Sequence, residues 1–400
     1  MKKYFIPLFL IAFFWLTSCV SVPRKQLSRM IPQSIHTAVK QAYAMAESLR
    51  TDTTRLPRSI DNRGNLMTSD SRWWCSGFFP GSLWYLYELT GQDSLRVLAE
   101  SFTRRVEREK FTTNNHDVGF MIYCSFGNGY RLTRNASYPE VMLTAARSLS
   151  TRYNPKIGLI RSWDSHKQRW QYPVIVDNMM NLELLMWATR YSRDSSFYKI
   201  AVSHADKTAE NHYRPDNSCY HVVSYDPKTG KPEKKETGQG YADESSWARG
   251  QAWGLYGYTM MYRETGLERY LNQAKAIADF LIHHPNFPED KIPYWDFDAP
   301  DIPNAKRDAS AAAIMASALI ELGGFVDKKL RNEYLSVAEQ QLITLSSPAY
   351  RAEIGTNANF LLKHSVGNMP SKSEVDVPLT YADYYYLEAL VRYKKFVLGQ

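Results

Sequence analysis

The 400-residue chain has 44% hydrophobic and 22% charged residues, with 20 Gly and 19 Pro. That composition excludes a disordered or collagen-like polymer and allows one large core or two of average size. The formal net charge is +8, yet Lys and Arg are dispersed and the stretch 231–235 is broken by Pro232 and Glu233, which argues against a nucleic-acid arm.

In chain order, Lys2 and Lys3 precede an apolar run over 4–16, too short for a transmembrane helix and read as a secretory signal. It ends in Leu16-Thr17-Ser18-Cys19, a motif similar to the lipobox of bacterial lipoproteins. The expectation is a signal peptide over 1–18, a lipid on Cys19 as the only membrane contact, and a tether over 19–33. The mature charge is then 47 − 41 = +6. No acidic cluster follows Cys19 to argue for surface export, so a periplasm-facing anchor in the cell envelope is expected.

Beyond the tether, apolar residues recur at three- and four-residue intervals in about twelve segments, the signature of amphipathic helices. They lie near 34–50, 78–90, 93–108, 118–131, 138–153, 177–192, 195–212, 244–265, 267–284, 308–323, 326–346 and 380–397. Several pairs are joined by tight turns, as at Gly91 and Gly266, where glycine suits a helix C-terminus. Long connections over 153–176, 213–243 and 285–307 are rich in Trp, His, Asp and Pro. Six hairpins with short turns at one end and long loops at the other predict an all-α (α/α)6 barrel, one catalytic domain over 34–400. An α-solenoid is the alternative, but no self-similarity at a fixed period supports it.

Chemistry is sought where polar residues interrupt the apolar pattern at helix starts. Asn114-Asn115-His116-Asp117-Val118-Gly119 and Val174-Ile175-Val176-Asp177-Asn178-Met179-Met180 each put an Asp there. Both Asp residues suit helix N-caps. The apolar flanks of Asp177 instead favour a desolvated carboxyl that holds its proton, as a general acid does. In Ser246-Trp247-Ala248-Arg249-Gly250-Gln251-Ala252-Trp253, Arg249 and Trp253 share one helix face: a guanidinium for a carboxylate and an indole for a pyranose ring. The plainer reading is a core Trp and an Arg pairing with Asp243 or Glu244. Trp73, Trp74 and Trp163 are further stacking candidates. Cys75, Cys124 and Cys219 are an odd number without CxxC spacing, hence buried free thiols.

These segments, together with Arg72-Trp73-Trp74 through Trp84, Pro293-Tyr294-Trp295-Asp296 and Asp383-Tyr384-Tyr385-Tyr386, resemble the ordered signatures of the unsaturated glucuronyl hydrolases, glycoside hydrolase family 88. The resemblance runs from about Trp73 to the C-terminus. It implies an (α/α)6 barrel acting on lyase-generated oligosaccharides that end in a 4,5-unsaturated uronic acid, with glycosaminoglycan fragments as the expected source. It further implies Asp177 as the general acid and base, and Asp117 as the second carboxylate, which holds substrate hydroxyls and tunes Asp177. His116, His221, Gln239, Arg249 and Trp253 surround the reacting ring. No metal, nucleotide or flavin is expected, and no nucleic-acid partner. Gly238 and Ala382 depart from the family pattern. Ser371 and Lys372, in the loop before the last helix, are expected to meet a sulfate. The alternatives are an unsaturated rhamnogalacturonyl-type hydrolase on pectin or ulvan fragments, an inverting glycosidase on intact bonds, and a non-catalytic sugar-binding lipoprotein.

Overall fold

The computed structural model describes residues 22–400, and among them lie twelve α-helices. In chain order these are α1 (Val22–Ser48), α2 (Phe78–Thr90), α3 (Asp93–Arg105), α4 (Asn128–Thr133), α5 (Tyr138–Ser150), α6 (Leu182–Ser192), α7 (Ser195–His212), α8 (Ala248–Thr265), α9 (Glu268–His283), α10 (Ala309–Leu322), α11 (Lys328–Ser346) and α12 (Thr380–Tyr393). How apolar residues are spread decides where each helix sits. Every residue of α10, a run of Ala, Ser, Ile, Met and Leu closed by Glu321-Leu322, is buried, as a helix without a polar face must be. In α3 only Leu95, Ala99, Phe102 and Thr103 are buried, while Arg96 pairs with Asp93 and Glu100 on the other side. The helices thereby sort into an inner ring of α2, the helical segment 119–133 that ends in α4, α6, α8, α10 and α12, in which α6 packs on residues 119–127 and α12 packs back on α2, with the odd-numbered helices outside. This is the (α/α)6 barrel.

The tight turns behave as the glycines predict. Gly91 and Gly266 adopt φ +69° and +67°, and their N–H groups close the preceding helices on Tyr87 and Tyr262. The opposite end carries the long connections, and here short antiparallel strands appear that helical periodicity does not reveal. β1 (Leu56–Ile60) pairs with β2 (Leu66–Ser69), and two-residue β3 (Tyr153–Asn154) with β4 (Leu159–Ile160). β5 (Pro173–Ile175), β6 (Val222–Tyr225) and β7 (Pro232–Glu236) form a three-stranded sheet seated on Ile157, Leu159, Tyr172 and Val174, and β8 (Ser365–Asn368) pairs with β9 (Ser373–Val377).

Three expectations are corrected. The segment assigned to a tether is helical from Val22. Leu27 and Ile31 are buried, and Arg24 reaches Glu339 on α11 at 3.1 Å. The signal peptide over 1–18 and Cys19 lie outside the described residues. α8 begins at Ala248 rather than 244, because 237–246 is a loop tied by its own bonds: Thr237 N–H to Asp243, Ala242 N–H to Ser245 Oγ, and Ser246 N–H to Asp298. The helix expected over 118–131 is a widened π-helix over Gly119–Gly127 running into α4, a form frequent at functional sites. No helix among the described residues is long and apolar enough to cross a membrane.

α8 crosses the Asp177 segment at Gly257, where an added Cβ would lie 2.5 Å from Met179 Cβ. Gly257→Ala is expected to destabilise the fold by about 1–3 kcal/mol, read as a lowered denaturation midpoint with an unchanged denaturant slope.

Candidate active site

Asp residues do cap helices in this protein: Asp194, Asp308 and Asp327 each accept a backbone N–H from the following first turn. Asp117 and Asp177 do not. Asp177 is carried out of β5 into a 3-10 turn, Val176–Asn181, whose six residues are all buried. Two asparagines of that turn fix it: Asn178 Nδ2 donates to Ile160 O at 2.9 Å, and Asn181 Oδ1 accepts from Phe120 N–H at 2.9 Å. The second bond joins the Asp177 turn to the π-helix that begins two residues after Asp117. Their approach is so close that a Cβ on Gly119 would meet Asn181 Cα at 2.6 Å.

The two carboxyls are thus brought to the same end of the barrel, near enough for the Asp177 charge to act on Asp117, with only 12% and 19% of the Asp177 and Asp117 side chains exposed. Burial drives the Asp177 carboxyl up to about 7, against the pull of Arg249 and Trp253. Burial first, then the Asp177 charge, drives Asp117 up to about 8, against Arg152. The pair therefore keeps one proton between them through neutral pH, released in steps that belong to both groups together.

The histidines beside them are neutral. Burial lowers His116 and His221 to about 3. His221 Nδ1 accepts the N–H groups of Gly238 and Gln239 at 3.0 and 3.2 Å, so its proton is on Nε2, which faces Asp177 Oδ2 at 3.7 Å. That separation is too long for a hydrogen bond. Trp247 packs on the His221 ring at 4.4 Å. His116 Nε2 lies 3.4 Å from Asp117 Oδ1. Among the described residues, Asp177 Oδ2, His221 Nε2, His116 Nδ1, Trp253 Nε1 and Trp163 Nε1 are all buried without a hydrogen-bond partner, a concentration that native cores do not carry without a reason.

Arg249 and Trp253 serve differently from the sequence expectation. Trp253 is fully buried, its ring against Phe120 and Tyr385; it offers no face to a sugar, only its N–H toward Asp177. Arg249 is 1% exposed and pairs with Asp308 at 3.1 Å, not with Asp243 or Glu244. Its remaining donors hold the carbonyls of Val366 and Gly367 on β8, and Trp247 and Tyr381 cover its faces. Gln239 Nε2 holds the same Gly367 carbonyl at 3.1 Å. Trp74 packs half-buried against Phe78, Phe120 and Tyr381. Trp163, half-buried, bridges to Asn115 and meets Trp170 edge-on. Ser371 and Lys372 sit exposed at the tip of the β8–β9 hairpin, where the Ser371 N–H is bonded to Asn368 Oδ1. The three cysteines are buried and free. Asn178, Asn181 and Asp308 were not singled out from sequence. Asp308 before Ala309-Ser310 carries a visible capping signal, but nothing local announces its pairing with Arg249.

Residues 50–400 match the family model described as Glycosyl Hydrolase Family 88. The chain belongs to that family. It is 48% identical over 329 residues to an unsaturated glucuronyl hydrolase of Formosa agariphila, covering 82% of each chain. It is 33% identical over 374 residues to an unsaturated chondroitin disaccharide hydrolase of Streptococcus pyogenes, covering 91% of each. The crystal structure of an unsaturated glucuronyl hydrolase specific for heparin superposes with a TM-score of 0.89 at 46% identity, over 92% of this chain and 98% of that one. The protein is accordingly a glycoside hydrolase with the barrel of its family.

Holding protons on buried carboxylates has a stability cost with a definite sign. An Asp ordinarily titrates near 3.8, and these titrate near 7 and 8. Between those values the folded state binds more protons than the unfolded one, so the pair's contribution is full below pH 4 and lost as pH rises through 7–8. Asp177→Asn removes the Asp177 share of that loss. Its stability is expected to exceed the parent's at pH 8 by on the order of 1–3 kcal/mol and to gain nothing at pH 4, as thermal unfolding at both pH values will show.

Proposed function

We propose that the protein removes 4,5-unsaturated uronic acid from the non-reducing end of lyase-generated oligosaccharides, glycosaminoglycan fragments in particular, by adding water across the C4=C5 bond. The observation that carries this reading is the pair of buried carboxyls, Asp117 and Asp177, both raised toward neutral pH by burial and ringed by buried donors and acceptors that lack a hydrogen-bond partner among the described residues. Relatives named for unsaturated glucuronyl and chondroitin disaccharide substrates support the substrate class.

The C4=C5 bond is an enol ether, with the ring oxygen on C5. Protonation at C4 by the Asp177–Asp117 pair leaves positive charge shared between C5 and the ring oxygen. The carboxylate left behind accepts a proton from water as the water oxygen bonds to C5. The resulting hemiketal opens by breaking its bond to the ring oxygen, and the exposed hemiacetal at C1 then releases the remaining sugar. Asp177 is the acid and base, and Asp117 anchors substrate hydroxyls and keeps the shared proton available. Neutral His221 and His116 donate or accept without adding charge, and the Trp163 and Trp74 edges bound the ring. Arg249 acts by positioning β8 and by restraining the Asp177 pKa. Ser371 and Lys372, at an exposed tip, are placed to meet a sulfate on the outer sugar. The chain is secreted and anchored through a lipid on Cys19 in the cell envelope, facing the periplasm; α1 is already formed at Val22, which would hold the barrel close to its membrane.

Loss of ultraviolet absorbance from the unsaturated uronate, followed in parallel with lyase products of heparin, chondroitin and hyaluronan, is the test. At least one substrate should lose absorbance, and Asp177→Asn and Asp117→Asn should each lower kcat about 10²- to 10⁴-fold. Cleavage of saturated substrates with no absorbance change would overturn the reading in favour of ordinary glycoside hydrolysis, and binding without turnover would favour a sugar-binding protein. Because the chemistry uses the singly protonated pair, kcat/KM should fall on both sides of neutrality, below about 7 as the base is protonated and above about 8 as the acid is lost.

A further inference from the structure

The β1–β2 hairpin, which no sequence motif marked, contributes a cation to the same end of the barrel. Its register slips between Pro57 and Ser59, so Arg58 is the extra residue of a bulge, a device that re-aims a side chain. Ser59, next to it, is buried and bonded to Pro378 O at 2.8 Å, which fixes the hairpin on the β8–β9 side. The Arg58 guanidinium lies over the Trp73 ring at 3.9 Å, and its Nε donates to Glu374 Oε1 at 2.6 Å. Glu374 in turn packs on Gly367, where an added Cβ would meet its Oε2 at 2.7 Å, and the Gly367 carbonyl is the one held by Arg249 and Gln239. Trp73 belongs to the segment laid across the start of the π-helix: a Cβ on Gly77 would meet the Phe120 and Met121 carbonyls at 2.3 Å. Arg58 therefore sits between the Asp117 side and the Arg249 side of the site, and buried Cys75 lies within reach of Arg58, Glu374 and Asp117 together.

What stands out is how little of this guanidinium is used. One N–H is paired, and among the described residues no hydrogen bond takes up the four on Nη1 and Nη2, although the side chain is only 21% exposed. The more deeply buried Arg249 and Arg392 use both Nη atoms on protein groups, Arg249 with Asp308, Val366 and Gly367 and Arg392 with Ser317, Tyr256, Glu321 and Glu388. A half-buried, stacked guanidinium with its planar end unspent matches two oxygens of one anionic group.

We propose that Arg58, held flat by Trp73 and oriented by Glu374, binds an anionic oxygen group of the substrate, either a uronate carboxylate or a sulfate ester. This rests on the function proposed above and names a specificity residue for it.

The experiment compares the parent with Arg58→Gln, Arg58→Lys and Glu374→Gln on matched unsaturated disaccharides with and without sulfate, reading KM and kcat from the absorbance loss. Arg58→Gln should raise KM about 10- to 100-fold, as loss of a charge-assisted fork implies, with kcat changed much less. A rise on every substrate assigns the carboxylate, which all carry; a rise confined to sulfated substrates assigns the sulfate. Arg58→Lys, which keeps the charge and loses the fork, should fall between, and Glu374→Gln should leave KM unchanged or lower it. Parent-like KM in Arg58→Gln on all substrates would overturn the proposal, as would equal KM increases in Arg58→Gln and Glu374→Gln, the mark of an ion pair that only shapes the wall. If Arg58→Gln fails to fold, a KM rise in Arg58→Lys that Glu374→Gln does not share supports the proposal, and a rise shared by both, or absent from Arg58→Lys, overturns it. A parent inert on all unsaturated substrates would instead refute the function itself.

Discussion

Everything at the long-loop end of the barrel is organised around one buried charge. The Arg249 guanidinium, on the first turn of α8, ties α10 through Asp308 and β8 through two carbonyls, and lies between the rings of Trp247 and Tyr381. Taking a cation out of water costs several kcal/mol unless its donors are all met, and meeting them requires three distant segments, near 249, 308 and 366, to converge. Removing any one of these partners would leave a charge stranded in the core. Arg249 also limits how far burial can raise Asp177, so the residue that shapes the wall also sets the acid.

Around that charge the site is kept close to electrically neutral in a way that depends on depth. Two carboxylates sharing a proton contribute one negative charge, and both histidines are too buried to protonate near neutrality. The Arg249 charge is already balanced by Asp308 and its hydrogen bonds are spent on protein, which leaves about one net negative charge at the site. An incoming anionic sugar thus finds a wall with donors but little mobile charge, where each hydrogen bond is strengthened by the exclusion of water. The stability lost by burying Asp117 and Asp177 is the ordinary cost of a site prepared for a transition state before substrate arrives.

The helices were legible in the sequence because apolar spacing of 3.6 is a local property, repeated over a dozen or more residues in α3, α7 and α9. Strands of two to five residues carry too few alternations to register, so β1, β2, β8 and β9 went unread, and with them Arg58, whose partner Glu374 lies 316 positions away. The carboxylates were found because Asp177 stands in an apolar run, a pattern that foretells burial. Arg249 and Trp253 were correctly placed on one helix face, but that face turns to the core rather than to open space, since every residue from Ala248 to Met261 is buried. Periodicity tells which residues travel together; it cannot tell which side of a closed ring they line.

The opposite end of the barrel makes the same point by contrast. A cavity of about 480 Å³ opens there among Tyr85, Glu183, Arg263, Glu321, Glu388 and Arg392, residue types that would suit catalysis on inspection of a sequence. Its charges, however, are matched to one another: Arg263 to Glu183, Glu264 and Glu321, and Arg392 to Glu321 and Glu388, with Glu388 also accepting the hydroxyls of Tyr85, Tyr256 and Ser317. Such a lattice cross-links α6, α8, α10 and α12 and holds the ring closed. At the Asp117 and Asp177 end the buried polar atoms are left unmatched instead. A void with satisfied walls is a floor, whereas buried polar atoms that lack partners mark where a substrate supplies what the protein withholds.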